Sequence, residues 1–399
     1  MTTTTPPGAT STRYSLPGNE MKIARIETFF VPPRWMFCRV ETEDGAVGWG
    51  EPSLEGHAEA VDGAFEALRD RFVGADPFRI EDIWQIAYRG GFYRGGPVLM
   101  SALAGFEQAL WDLKGKALGL PVWEMLGGRV RDKIRAYAWI GGDRPHEIAD
   151  AADKRKQQGF SAVKMNATAE IDWIGTPKLF DEVVKRVEAA QRLGMDVGLD
   201  FHGRVHRPLA KQLAKALEPL GLLFIEEPLL SENLEGLREI ASLVSTPIAL
   251  GERLYSRWDF KPVITAGAVD IIQPDLSHAG GILEVRKIAA MAEAYDIAVA
   301  PHCPLGPLAL ASCLQVAGCT PNLAIQEMSL GIHYNVGADL LTFCTTREVL
   351  TPDDGYLAIP AGPGLGVGID EDAVREADKD RHSWRNPLFR TRDGSFAEW

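Results

Sequence analysis

Seven side chains that can ligate, pair or move protons recur from Lys164 onward at intervals of 23 to 36 residues: Lys164, Asp200, Glu226, Glu252, Asp275, His302 and Glu327. Asp200, Glu226 and Glu252 make an all-oxygen set. Hard oxygen ligands select Mg2+ or Mn2+ over zinc, and Mg2+ keeps positions open for water or substrate oxygens. Acids at such positions also cap the helices that follow them, but three at near-equal spacing favour a metal. His302 lies between Pro301 and Cys303-Pro304, where strand should give way to loop. A satisfied core histidine is the plainer reading of any lone imidazole. With the carboxylate of Asp275 on one ring nitrogen, however, His302 becomes a general base. Cys303 has no glycine-rich elbow beside it and reads as packing.

His202, two residues after Asp200, is either a further ligand or a second acid–base group. Three carboxylates are already at hand, which favours the proton donor. Lys164 suits a counter-ion for a substrate carboxylate. Glu327 either donates a hydrogen bond, if protonated, to charge developing on the substrate, or pairs with Lys164. Together these groups describe one reaction. A single divalent ion binds a substrate carboxylate, His302 removes the α-proton, the ion with Lys164 and Glu327 stabilises the resulting charge, and His202 protonates a leaving β-hydroxyl. Each acid–base step is worth roughly 10²–10⁴-fold. Racemisation would want a base on both faces of the α-carbon, and the run carrying Lys164 ends in Asn166 rather than a second lysine. A zinc-pair hydrolase would want H-x-H on the first strand, and Ala136–Ile140 has none. A silent barrel that only binds a carboxylate would be expected to have lost His302 or a ligand, yet all are present.

These residues need elements that bring them to one place. Eight apolar or β-branched runs alternate with helical stretches: Ala136–Ile140, Ala162–Asn166, Val197–His202, Leu223–Glu227, Pro247–Glu252, Val269–Asp275, Ile297–His302 and Leu323–Glu327. Near-continuous apolar strands alternating with helices imply a parallel sheet covered by helices, and eight units closing on themselves give the (β/α)8 barrel of the α/β class. In a barrel all C-terminal strand ends meet at one mouth. Residues i and i+2 of a strand share a face, so Asp200 and His202 are expected side by side, as are Lys164 and Asn166. Upstream, Met21–Glu51 alternates around Glu43-Asp44-Gly45, a hairpin signal, and helical patterns follow in Ala58–Val73 and Ser101–Leu118. That makes an N-terminal α+β domain, 21–133, ahead of the barrel, 134–372.

Composition agrees. The 399 residues are 46% hydrophobic and 24% charged, the balance of a folded protein large enough for two units. A net charge of −13 argues against a nucleic-acid partner, and no apolar stretch reads as a membrane helix. Five cysteines without a C-x-x-C pair suggest a reducing cytoplasm. Residues 1–20, rich in Thr, Ser and Pro, read as a disordered extension and not as a signal peptide.

The stretch from Ala104-Gly-Phe-Glu-Gln-Ala-Leu-Trp-Asp to Gly127, with Leu199-Asp-Phe-His202 and Phe224-Ile-Glu-Glu-Pro228, resembles the enolase superfamily in its mandelate racemase branch. From about Met21 to Trp399 the chain is similar to the sugar-acid dehydratases of that branch. The blocks that carry this are Pro32-Pro-Arg-Trp-Met-Phe37, Gly91-Phe-Tyr-Arg-Gly-Gly-Pro97, Asp200-Phe-His-Gly-Arg204, Gln273-Pro-Asp-Leu-Ser-His-Ala-Gly-Gly281, Ala300-Pro-His-Cys-Pro-Leu-Gly-Pro307 and Trp384-Arg-Asn-Pro-Leu388. The resemblance implies an enolase-like modified TIM barrel. It implies Mg2+ ligands at Asp200, Glu226 and Glu252, a base at His302 supported by Asp275, an acid at His202, and Glu327 near the substrate carboxylate. It implies an N-terminal domain capping the mouth, a segment 373–399 returning to that domain, and a homo-oligomer between dimer and octamer. The expected partner is a small sugar acid, D-galactonate first, with mannonate or gluconate as alternatives. Loops around Pro33–Phe37 and Glu51–His57 would cover it, so Asn166, Arg34, Trp35 and His57 are expected to bind substrate, with Tyr93 and Arg94 on a further loop. His57 stands where arginine is expected in these dehydratases.

Overall fold

The computed structural model describes residues 21–142, 147–169 and 171–398; the expected extension 1–20 lies outside them. The N-terminal domain begins with β1 (Ile23–Val31), β2 (Trp35–Thr42) and β3 (Val47–Gly50), an antiparallel meander. Gly45, at φ 85°, turns β2 into β3 at the hairpin expected there. Helices α1 (Ala58–Phe72) and α3 (Pro97–Leu118) pack on this sheet, and α2 (Ile80–Arg89) packs on α3. The approach of β3 to α3 needs glycine: a Cβ on Gly48 or Gly50 would lie 2.0 Å from the carbonyl oxygen of Ala109 or Gly105. A short α4 (Val122–Met125) leads out of this domain.

The barrel strands are β4 (Lys133–Trp139), β5 (Ala162–Asn166), β6 (Asp196–Asp200), β7 (Phe224–Glu226), β8 (Ile248–Leu250), β9 (Ile271–Ile272), β10 (Ala298–Val299) and β11 (Gln326–Met328). They run parallel in the order β10-β9-β8-β7-β6-β5-β4-β11. A parallel bridge from Val299 to Leu323 closes the ring. Seven helices connect them: α5 (Ile148–Gln157), α6 (Pro177–Gln191), α7 (Arg207–Leu217), α8 (Leu234–Ala241), α9 (Arg257–Ala266), α10 (Ile282–Glu293) and α11 (Pro307–Gly318). All eight sequence runs thus become strands of a curled parallel sheet.

Two differences matter for the site. First, the strands are shorter than the apolar runs. β6 stops at Asp200, β8 at Leu250, β9 at Ile272 and β10 at Val299, so His202, Glu252, Asp275 and His302 stand just beyond the ladder. Second, β11 has no helix directly after it. The chain crosses to β12 (Tyr356–Ala358), which pairs antiparallel with β4, and then to α12 (Glu371–Asp378). Helix α12 packs on β1, with Arg375 reaching Glu27 at 3.1 Å and the Phe30 N–H donating to Asp378 at 2.7 Å. A hairpin of β13 (Phe389–Arg390) and β14 (Phe396–Ala397) follows. Among the described residues no helix is long and apolar enough to cross a membrane.

The N-terminal domain is seated on the barrel by buried carboxylates. Glu107 of α3 accepts the Ile282 and Leu283 N–H groups at 2.8 and 2.9 Å, capping α10. Glu51, just after β3, accepts the Gly306 and Ala309 N–H groups at 2.7 and 2.9 Å, capping α11. Free N–H groups at a helix start welcome such an anion, while burial pushes the Glu51 carboxyl up to about 7.

Candidate active site

Register alone brings the acid set together. Asp200 is the cross-strand partner of Glu226, and Glu226 of Ala249, three residues before Glu252. One carboxylate oxygen from each of Asp200, Glu226 and Glu252 lies within 4.8 Å of the others. Lys164, fully buried on β5, points into the cluster, its Nζ 2.7 Å from Glu226, 3.1 Å from Glu327 and 3.8 Å from Asp200. Gln273 donates to the other Glu226 oxygen at 2.6 Å. Burial opposes the Lys164 charge, but Glu226 and Glu327 outweigh it and hold its pKa well above the usual value.

One ammonium does not neutralise this many buried carboxylates, and unpaired buried charge is costly. Asp200 Oδ2 and Glu252 Oε2 are enclosed yet accept no hydrogen bond of good geometry, although imidazole nitrogens stand 3.0 and 3.3 Å away. An oxygen-only set with excess negative charge and enclosed oxygens fits a hard divalent cation such as Mg2+.

Two histidines flank this set. The Nδ1 of His302 meets Asp275 Oδ2 at 2.8 Å, and its Nε2 stands 3.3 Å from Glu252 and 3.9 Å from Glu327. The Ser277 N–H donates to the other Asp275 oxygen at 2.6 Å. Burial disfavours a charged His302, but Glu252, Glu327 and Asp275 outweigh it and raise its pKa well above the ordinary value. A cation on Glu252 opposes the first of those influences. His202 reaches Asp200 by a different route from the one its spacing suggested. It is not on β6 but in a turn at φ 51°, its N–H donating to Asp200 Oδ1 at 2.7 Å and its Nε2 3.0 Å from Oδ2. Its ring lies nearly parallel to that of Trp139 at 5.7 Å. Glu327 meets Lys164, as one of its two readings had it, and also accepts the Cys303 N–H at 2.9 Å. Asn166 is buried and donates to the Gly142 carbonyl at 3.4 Å.

The loop residues behave otherwise. Arg34 has 1% of its side chain exposed; it donates to Glu55 and to the Pro304 carbonyl, both at 2.6 Å, and faces the rings of Tyr334 and Trp384. Trp35 is buried against Phe37. His57, before α1, is exposed, as are Tyr93 (86%) and Arg94. Sequence reasoning gave no role to Glu55, His278, Arg253 or Trp139. Arg253 pairs with Glu227 at 2.8 Å, which accounts for the second glutamate of the Glu226-Glu227 pair. Trp139 lies in Ala136–Ile140, the one of the eight sequence runs that ends without an ionisable or amide group, so nothing drew attention to it.

Comparison with known proteins agrees with this geometry. Residues 28–127 match the N-terminal domain of mandelate racemase/muconate lactonizing enzyme, and 147–373 match the enolase C-terminal domain-like family. D-galactonate dehydratases of Ralstonia pickettii and Pectobacterium atrosepticum are each 54% identical over 382 residues, 95% of this chain and all of theirs. A crystal structure of an enolase from Agrobacterium radiobacter, with sodium and L-malate bound, superposes with a TM-score of 0.85 at 30% identity, over 94% of this chain and 100% of that one. Cap, barrel and acid-lined mouth define an enzyme of the enolase superfamily. Within it, the chain belongs to the mandelate racemase/muconate lactonizing enzyme family, and it is a hydro-lyase.

Proposed function

We propose that the chain removes water from D-galactonate to give 2-keto-3-deoxy-D-galactonate, with one Mg2+ held by Asp200, Glu226 and Glu252. The two 54%-identical relatives support dehydration of a sugar acid. The observation that carries the chemistry is the Asp275–His302 pair, whose free nitrogen faces the acid cluster at Glu252. When bound, the cation supplies positive charge beside the substrate carboxylate.

The protein's own groups do the rest. Asp275 fixes the His302 ring through Nδ1, which leaves Nε2 to take the α-proton. Lys164 adds a fixed positive charge where negative charge develops. His202 delivers a proton to the β-hydroxyl, which departs as water when the C–O bond breaks. The enol that remains becomes the ketone. The strand that carries Lys164 ends in Asn166 rather than a second lysine, and an amide cannot serve as a base, so a single α-configuration should react.

The test is a panel of aldonates of four to seven carbons, assayed for α-keto acid before and after chelation. D-galactonate should give the highest kcat/KM, and turnover should vanish with EDTA and return with Mg2+. A higher kcat/KM on D-gluconate or D-mannonate would overturn the substrate. Full turnover of metal-free enzyme would overturn the mechanism.

A further inference from the structure

The Asp275 carboxylate does not serve His302 alone. His278, three residues on and 5% exposed, brings its Nε2 to 3.7 Å from the same Oδ2 that holds His302. The same Nε2 stands 3.7 Å from Glu55 Oε2, in the loop of the N-terminal domain. On the ring's other side, Nδ1 meets Ser101 Oγ of α3 at 3.0 Å. Glu55 in turn holds Arg34 at 2.6 Å. Arg34, Glu55, His278, Asp275 and His302 therefore form a line that crosses from the N-terminal domain to the barrel mouth. Contacts of 3.7 Å are longer than hydrogen bonds, so what links His278 to its two carboxylates is charge. Burial disfavours a charged His278, but Asp275 and Glu55 outweigh it and raise its pKa. Burial likewise opposes the Glu55 charge, and His278 and Arg34 hold that carboxyl below its usual range. From Arg34 to Asp275 the signs alternate, and Glu55 and His278 each stand between groups of opposite charge.

We propose that His278 is a positioning residue for the base: it holds Asp275, and through it the His302 ring, and makes that alignment depend on the seating of Glu55 and Arg34. The inference rests on His302 being the α-proton base. Without His278, Asp275 and Glu55 would face each other with no positive charge between them. Asp275 would then swing away, and His302 would lose its orientation. Groups that orient a functional histidine from behind typically account for about 10- to 100-fold in activity.

The experiment measures washing of solvent deuterium into the α-position, with dehydration and Mg2+ affinity alongside. His278→Gln should slow exchange and dehydration together by about 10- to 100-fold, with KM within about threefold and Mg2+ binding unchanged. Adding Glu55→Gln to that variant should recover about threefold or more, because the two sites are coupled through one repulsion. A merely structural role for His278 would give no such recovery. Ser101→Ala, a small change on a buried helix, should slow exchange severalfold at constant KM, and it serves where His278→Gln does not fold. Exchange at the parent rate in His278→Gln or Ser101→Ala, or a double variant no faster than the single one, overturns the proposal. Retained exchange in His302→Asn would instead overturn the base assignment on which it rests.

Discussion

The barrel mouth and the loops of the N-terminal domain both carry residues of chemical promise, and the structure treats them in opposite ways. At the mouth, Asp200, Glu226, Glu252 and His302 leave oxygen or nitrogen atoms turned toward one another with more negative charge than Lys164 can match. In the loops, Arg34 gives both terminal nitrogens to Glu55 and Pro304, Trp35 joins the core, and His57 faces solvent. The lesson is that residue type does not tell a working group from a structural one. What separates Arg34 from the acid cluster is whether the charge already has its match.

The contrast can be broken from either side. On the mouth side, Glu226→Gln removes a ligand and the main partner of Lys164, so turnover should fall by at least about a thousandfold, since cation charge supplies several kcal/mol of stabilisation. Calorimetric Mg2+ titration should show the loss of binding, and normal binding would remove Glu226 from the ligand set. His202→Asn should lower dehydration by roughly 10²–10⁴-fold while α-proton exchange stays within about tenfold. Equal falls in both would remove its separate role as acid, and lost Mg2+ binding would make His202 a ligand.

On the loop side, Arg34→Ala should act through stability first. It takes from Glu55 its closest positive partner and leaves only His278 at 3.7 Å, a loss of up to about 3–5 kcal/mol for a buried pair, read as a lower Tm. An unchanged Tm with a large rise in KM would return Arg34 to the substrate-binding group. His57→Ala should be nearly silent, within about 0.5 kcal/mol of stability and about twofold in KM. A large KM effect there would show that this exposed position meets the substrate after all.

The same contrast explains how much the sequence revealed. Barrel strands are legible because each is a short apolar run between helices, and strand ends converge by topology whatever the details. Asp200, Glu226 and Glu252 could therefore be grouped from spacing alone. The route to His202 was not legible, because periodicity extends a strand past Asp200 while the chain turns there at positive φ. The loops gave no such pattern. Whether Arg34 reaches a substrate or Glu55 depends on a pairing across 21 residues, which neither composition nor periodicity encodes. Glu51 and Glu107 were hidden for a similar reason, since their partners are backbone N–H groups of helices over 170 residues away.

The central claim is that one imidazole, His302, takes the α-proton beside the acid cluster. The most direct measurement is deuterium exchange at the α-carbon of D-galactonate by His302→Asn, with Mg2+ affinity measured on the same preparation. The account predicts parent-like Mg2+ binding with neither exchange nor α-keto acid formed. Exchange at a rate near that of the parent, with Mg2+ bound, would contradict it.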